Sequence, residues 1–177
     1  MRKPDHFDLS TERLTIRPWR PSDRLALERM VEDSDMMRHL THGRAWSADE
    51  VDEFLERQSA QLAAHGVCMG PMMLRGGTEI VGVAGIQPLD LPGEFELGWW
   101  VWKAYWGLGY ALEAARALAA FATNEMGLAR VFAVIDPDNA ASIRVAEKIG
   151  MRFERRTTAR ETAFRREDIE VVLYVTP

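Results

Sequence analysis

The sequence predicts an α/β domain in which strands and helices mix around one sheet. Three observations carry that prediction. A two-faced strand at residues 94–102 runs into Tyr105-Trp106-Gly107-Leu108-Gly109-Tyr110-Ala111 and then into an Ala- and Leu-rich helix. Residues 130–135, Arg-Val-Phe-Ala-Val-Ile, have the pattern of a strand buried on both faces. Around these, helical and alternating segments follow the order β-α-α-β-β-β-α-β-α-β-β.

In chain order, residues 13–19 alternate and form the first expected strand, which stops near Pro21. Ser22 is the expected cap of a helix carrying Leu25, Leu27, Met30 and Val31. Residues 34–46 show no clean period. They hold His39 and His42, spaced as on a helical turn, but no third ligand keeps metal-like spacing with them, so they read as loop histidines and no metal is expected. Ser47-Ala48-Asp49-Glu50 is a capping box, followed by the stripe Val51, Phe54, Leu55, Gln58 and Leu62 and a stop at Gly66. The apolar runs 67–74 and 80–86, joined by Arg75-Gly76-Gly77-Thr78-Glu79, predict a hairpin.

The next strand sets Phe95, Leu97, Trp99 and Val101 on one face and Glu96, Gly98, Trp100 and Trp102 on the other. A helix over 110–126 follows, stopped by Gly127. The two glycines therefore lie between a strand and a helix, where free N–H groups can hold an anion such as phosphate. A P-loop is excluded because no Gly-Lys-Ser/Thr follows, and the dinucleotide fingerprint fits poorly without its third glycine. Asp136-Pro137-Asp138-Asn139 breaks the buried strand, and Asn139 caps a short helix ending at Gly150. Residues 151–156 and 169–175 complete the strands. Arg152, Arg155, Arg156, Arg160, Arg165 and Arg166 interleave with Glu154, Glu161, Glu167 and Asp168, the pattern of a mixed solvated surface.

Composition narrows the classes. With 27 acidic against 22 basic residues the net charge is −5, which argues against a general nucleic-acid binder. No apolar run approaches a membrane span, and the first residues lack the apolar run of a signal peptide. Cys68 is the one cysteine, so no intramolecular disulfide is possible; a cytoplasmic protein is expected, with Cys68 as a buried small hydrophobe.

Two segments go further. Trp106-Gly107-Leu108-Gly109-Tyr110-Ala111-Leu112-Glu113-Ala114 resembles the acyl-CoA pyrophosphate loop of the Gcn5-related N-acetyltransferase (GNAT) superfamily. The run Asn139-x-x-Ser142-x-Arg144-Val145-x-Glu147-Lys148-x-Gly150 closely resembles that superfamily's second acyl-CoA segment, in the branch of the ribosomal-protein N-terminal acetyltransferases. Thr11-Glu12-Arg13-Leu14-Thr15-Ile16-Arg17-Pro18-Trp19 with Asp23 is similar to that branch's first strand, and the likeness runs over about 11–175 of a single domain spanning 1–177.

The resemblance implies a mixed sheet whose two central strands splay to admit the pantetheine arm of acetyl-CoA. It implies that Trp99, Trp100 and Val101 bind pantetheine through their backbone, and that the amides of Gly107, Leu108, Gly109, Tyr110 and Ala111 hold the pyrophosphate. Asn139 would contact the cofactor or the transfer centre. The implied catalytic pair is Glu96 as base, with Glu94 as the alternate, and Ser142 as proton donor to the thiolate. Many relatives carry a tyrosine where Ala146 stands, and Gln or Arg where Trp106 stands. The implied activity is direct acetyl transfer to a primary amine, of a protein N-terminus or a small molecule. A homodimer is compatible with it. The alternative is a non-catalytic acyl-CoA-binding module.

Overall fold

A computed structural model of the chain describes residues 1–40, 43–158 and 169–177. Strands β1 (Leu9–Ser10) and β2 (Leu14–Ile16) lead to a 3-10 turn at Pro21–Asp23 and helices α1 (Arg24–Val31), α2 (Ser34–Met37) and α3 (Ala48–His65). Three strands follow, β3 (Met69–Leu74), β4 (Ile80–Pro88) and β5 (Phe95–Val101). After a 3-10 turn at Lys103–Tyr105 come α4 (Tyr110–Asn124), β6 (Phe132–Ile135), α5 (Ala140–Lys148), β7 (Arg152–Thr158) and β8 (Glu170–Val175). The strands form one mixed α/β sheet in the order β1-β2-β3-β4-β5-β6-β8-β7. Neighbours are antiparallel except β5 and β6, which are parallel.

Local chemistry sets the boundaries. Ser47 Oγ accepts from the Glu50 amide at 3.2 Å while Glu50 Oε2 accepts from the Ser47 amide at 2.7 Å, so the capping box forms. Gly66 then ends α3 in the left-handed region at φ +75°. Asn139 Oδ1 accepts from the Ser142 amide at 3.1 Å and caps α5. Two elements were not expected from the sequence: β1, of two residues, and α2, a single turn capped by Asp33. The capping role expected of Ser22 is a correction. Ser22 lies inside the 3-10 turn, and Asp23 Oδ2 holds that turn by accepting from the Arg20 amide at 2.8 Å.

The two faces of β5 serve two cores. Phe95 and Leu97 join Ala114, Leu118 and Ala122 of α4 in one cluster. Trp100 joins Leu27 and Met30 of α1 and Phe54 of α3 in the other. Phe54 meets the rings of Trp46 and Trp100, at 5.3 and 5.5 Å between centroids, and the two indoles meet each other at 5.8 Å. A third cluster, under α5, holds Ala133, Ile135, Ala146 and Met151. Gln58 interrupts the apolar stripe of α3 for a polar reason. It is 1% exposed, and its Oε1 accepts from the Met69 amide at 2.8 Å, satisfying the first N–H of β3.

The chain end of β2 is fixed to α1 by a buried ion pair. Arg17 donates through both terminal nitrogens to Asp23, at 2.7 and 3.0 Å. Burial pushes the Asp23 carboxyl up, but the hydrogen bonds from Arg17 and the Arg20 amide outweigh it, and the group lies below its ordinary range. A carboxyl lowered by folding contributes stability above its unfolded pKa, about 3.9, and loses it as pH falls through the folded value. Asp23→Ala, which leaves the guanidinium buried without its partner, is expected to destabilise by about 3–5 kcal/mol at pH 7. Urea unfolding should show the gap between parent and variant closing below about pH 4; a gap independent of pH contradicts the assignment.

Candidate active site

The parallel contact between β5 and β6 consists of one register pair, Glu96 with Phe132. Beyond it β5 runs on to Val101 and β6 to Ile135 without further pairing. A cavity of about 80 Å³ opens there, lined from β5 by Glu96, Gly98, Trp99 and Trp100, from β6 by Ala133 and Ile135, and from α5 and its cap by Ser142 and Asn139. His39 closes another side.

Strand geometry decides which backbone groups face the gap. The Trp102 amide donates to Val81 of β4 at 2.9 Å, so by alternation the backbone of Trp100 is also directed to β4. The groups of Trp99 and Val101 therefore point toward the gap. The Val101 carbonyl accepts from Trp106 Nε1 at 2.7 Å. Trp106 itself is 50% exposed, outside the core.

The two carboxylates considered as base have different surroundings. Glu96 is 5% exposed, lines the cavity and accepts from Gln87 Nε2 at 2.6 Å. Glu94 accepts from Arg130 at 2.5 Å and does not line the cavity. Ser142 is half-buried in the first turn of α5, and among the described residues its hydroxyl has no hydrogen-bond partner. Ala146, the position at which many relatives carry a tyrosine, is fully buried on the core face of the same helix.

The glycine loop lies beyond the end of β5. Gly107 and Gly109 adopt φ of +78° and +83°, values that side chains disfavour. Among the described residues, the amides of Gly107, Leu108, Gly109, Tyr110 and Ala111 donate to no group of the chain. They stand together at the N-terminus of α4, where the helix field favours negative charge. The loop is braced from β2. Arg13 donates to the Leu108 carbonyl at 3.0 Å and to Glu113 Oε2 at 2.6 Å, and its guanidinium lies 4.7 Å from the centre of the Tyr110 ring. Glu113 Oε1 accepts from the Arg13 amide and from the Thr11 hydroxyl. Burial pushes the Glu113 carboxyl up, while these hydrogen bonds more than offset it and hold the group below its usual range.

Some cavity residues carry no signal in the sequence. His39 is a loop residue, in the turn after α2, but it is half-buried and has a partner: its Nδ1 lies 2.9 Å from Asp136 Oδ2, at the cavity wall. Only the position of a partner far along the chain reveals this. Gln87 and the Arg13–Glu113 brace are equally invisible to periodicity. Cys68 is buried, and burial pushes its thiol up to about 12, so it stays protonated. Arg155 pairs with Glu154 and Arg156 with Glu170, as a mixed-charge surface should. His42, Arg160, Arg165, Arg166, Glu161, Glu167 and Asp168 lie outside the described residues.

Residues 13–152 match the family model of the acetyltransferase (GNAT) domain. The chain is 30% identical over 146 residues to the uncharacterized N-acetyltransferase YnaD of Bacillus subtilis, covering 82% of this chain and 83% of that one. It superposes on the crystal structure of an acetyltransferase from Agrobacterium tumefaciens with a TM-score of 0.79 at 26% identity, over 100% and 99% of the two chains. The fold is also that of RimL, a ribosomal L7/L12 alpha-N-protein acetyltransferase solved with coenzyme A, at a TM-score of 0.77, 18% identity and 96% and 97% coverage.

Removing the brace should loosen the loop alone. In Glu113→Ala, amide hydrogen exchange at Arg13, which loses its acceptor, and at position 113, whose amide donates to the Gly109 carbonyl, is expected to speed several-fold while β3 and α3 keep their protection. Unchanged exchange at both positions contradicts the bracing role.

Proposed function

The chain belongs to the GNAT acetyltransferase family and is an acetyl-CoA-dependent acyltransferase; from that premise we propose that it transfers acetyl directly to a primary amine, of a protein N-terminus or a small molecule. The observation that carries this reading is the parting of β5 from β6 after one pair, which opens a cavity lined by a buried carboxylate and a hydroxyl. The cavity is small, so it suits the thioester and the amine rather than a whole coenzyme.

In this reading the free amides of Gly107, Leu108, Gly109, Tyr110 and Ala111 hold the pyrophosphate. The gap-facing groups of Trp99 and Val101 bind the pantetheine amides as a missing strand would. Trp100 contributes its ring to the cavity wall rather than its backbone to the ligand. Asn139 holds the turn that presents Ser142 and can donate its side-chain N–H to the carrier.

Chemistry then follows from the positions. The acceptor nitrogen must be neutral to attack, and a lysine-type amine titrates at about 10.4 against about 8 for an α-amine. As the nitrogen–carbon bond forms, Glu96 accepts a proton from the nitrogen. A backbone N–H of Trp99 or Val101 stabilises the developing oxyanion. The carbon–sulfur bond breaks, Ser142 donates a proton to a thiolate whose thiol has a pKa of about 8.5, and the proton held by Glu96 is returned to the Ser142 oxygen across the cavity that both residues line. The fold shared with RimL supports a protein α-amine among the possible acceptors.

Two variants separate binding from chemistry. Gly109→Glu brings a carboxylate to the pyrophosphate site at a backbone of φ +83°. Calorimetry should show loss of coenzyme A binding in a protein with parental helix content; unchanged affinity sinks the loop assignment. Glu96→Gln should lower turnover about 10²–10⁴-fold with little change in acetyl-CoA affinity, and a variant as fast as the parent at every pH removes Glu96 from the mechanism.

A further inference from the structure

An ammonium acceptor carries three protons on nitrogen and the amide product retains one, so two must leave. The first leaves before attack, because the nitrogen needs its lone pair. The second leaves once the nitrogen–carbon bond has formed. One of the two ends on the coenzyme thiolate and the other in solvent. Glu96, deep in the cavity, accounts for the second. The first requires a base that reaches both the cavity and water.

We propose that His39, oriented by Asp136, takes the first proton from the acceptor ammonium at the cavity mouth and passes it to solvent. This inference rests on the acetyl-transfer reading and adds a residue to it. His39 lines the cavity with Glu96 and Ser142, and its side chain is 28% exposed, so the ring meets both the cavity and water. Asp136 Oδ2 lies 2.9 Å from His39 Nδ1, which places the ring proton at Nδ1 and the basic lone pair at Nε2. Asp136 is itself fixed, since its Oδ1 accepts from the Asp138 amide at 2.9 Å. The segment carrying His39 is tied to the other side of the gap as well, through the ion pair of Asp35 with Lys103.

Of the charged groups nearby, Asp136, in the turn after β6, meets the ring and Glu96, on β5, lines the same cavity. Asp35 and Arg38 stand on the segment of His39 and pair with each other, and Lys103, after β5, pairs with Asp35. In this arrangement Asp136 is a positioning residue. It holds the imidazole and stabilises the imidazolium that forms, as a carboxylate does behind a histidine base.

The test measures thiol release from acetyl-CoA with peptides bearing free N-termini, lysine peptides, polyamines and aminoglycosides. With the acceptor class that the parent uses, His39→Ala should lose about 10²-fold or more in kcat/KM at pH 7, with the acetyl-CoA Kd unchanged. The deficit should shrink as pH approaches the pKa of the amine, about 8 or about 10.4 by class, where no base is needed. Added imidazole should restore part of the rate, and Asp136→Asn should show a smaller loss with the same pH trend. A loss equal at every pH without imidazole rescue, or no loss, overturns the role of His39 alone. Silence of the parent chain over the whole panel contradicts the transferase reading itself and this inference with it.

Discussion

The separation of β5 from β6 is the constraint on which the rest of the molecule depends. Backbone groups inside a sheet are ordinarily satisfied by the next strand, and leaving them unpaired is costly. Here pairing ends after Glu96 and Phe132. The gap persists because each strand is held from its own side. Strand β5 is paired along its whole length with β4, and β6 with β8. The ring of Trp99 packs against both the α4 cluster and the α5 cluster, and so acts as a wedge between them. What remains is a gap toward which the backbone groups of Trp99 and Val101 point.

The parts around the slot are held by contacts distant in sequence. Arg13 and Glu113, 100 positions apart, hold the glycine loop at the end of β5. His39 and Asp136, 97 positions apart, join the segment after α2 to the turn that precedes α5. Asp35 and Lys103 join the same segment to the turn after β5. Residues 35–39 are thus tied both to the turn after β5 and to the turn before α5. Burial of Trp100 between α1 and α3 sets Glu96 on the cavity side of β5, because the two residues share a face.

What could be read from the sequence was whatever local chemistry dictates. The Ser47–Glu50 box, the Asn139 cap, the positive-φ glycines and the two-faced strand each follow from residues within a few positions of one another. The strand period gave Glu96 its face, opposite Phe95 and Leu97, but its candidacy as base came from the resemblance. Elements too short to show a period were not legible: β1 has two residues and α2 is one turn. Ser22 and Asp23 are both cap-forming residues, and the sequence does not show that Asp23 is the one engaged, by Arg17 and by the Arg20 amide. The place of His39 depended on a partner that no spacing rule connects to it. The likeness of the 139–150 run to a known cofactor segment supplied what periodicity could not, namely the expectation of an acyl-CoA ligand.

The most direct test of this account is to map the backbone amide shifts of the ¹⁵N-labelled protein during titration with coenzyme A. The account predicts the largest perturbations at Trp99 and Val101 and across 107–111, with little change at β7 and β8. Perturbations centred on another surface, with Trp99 and the glycine loop silent, would contradict it.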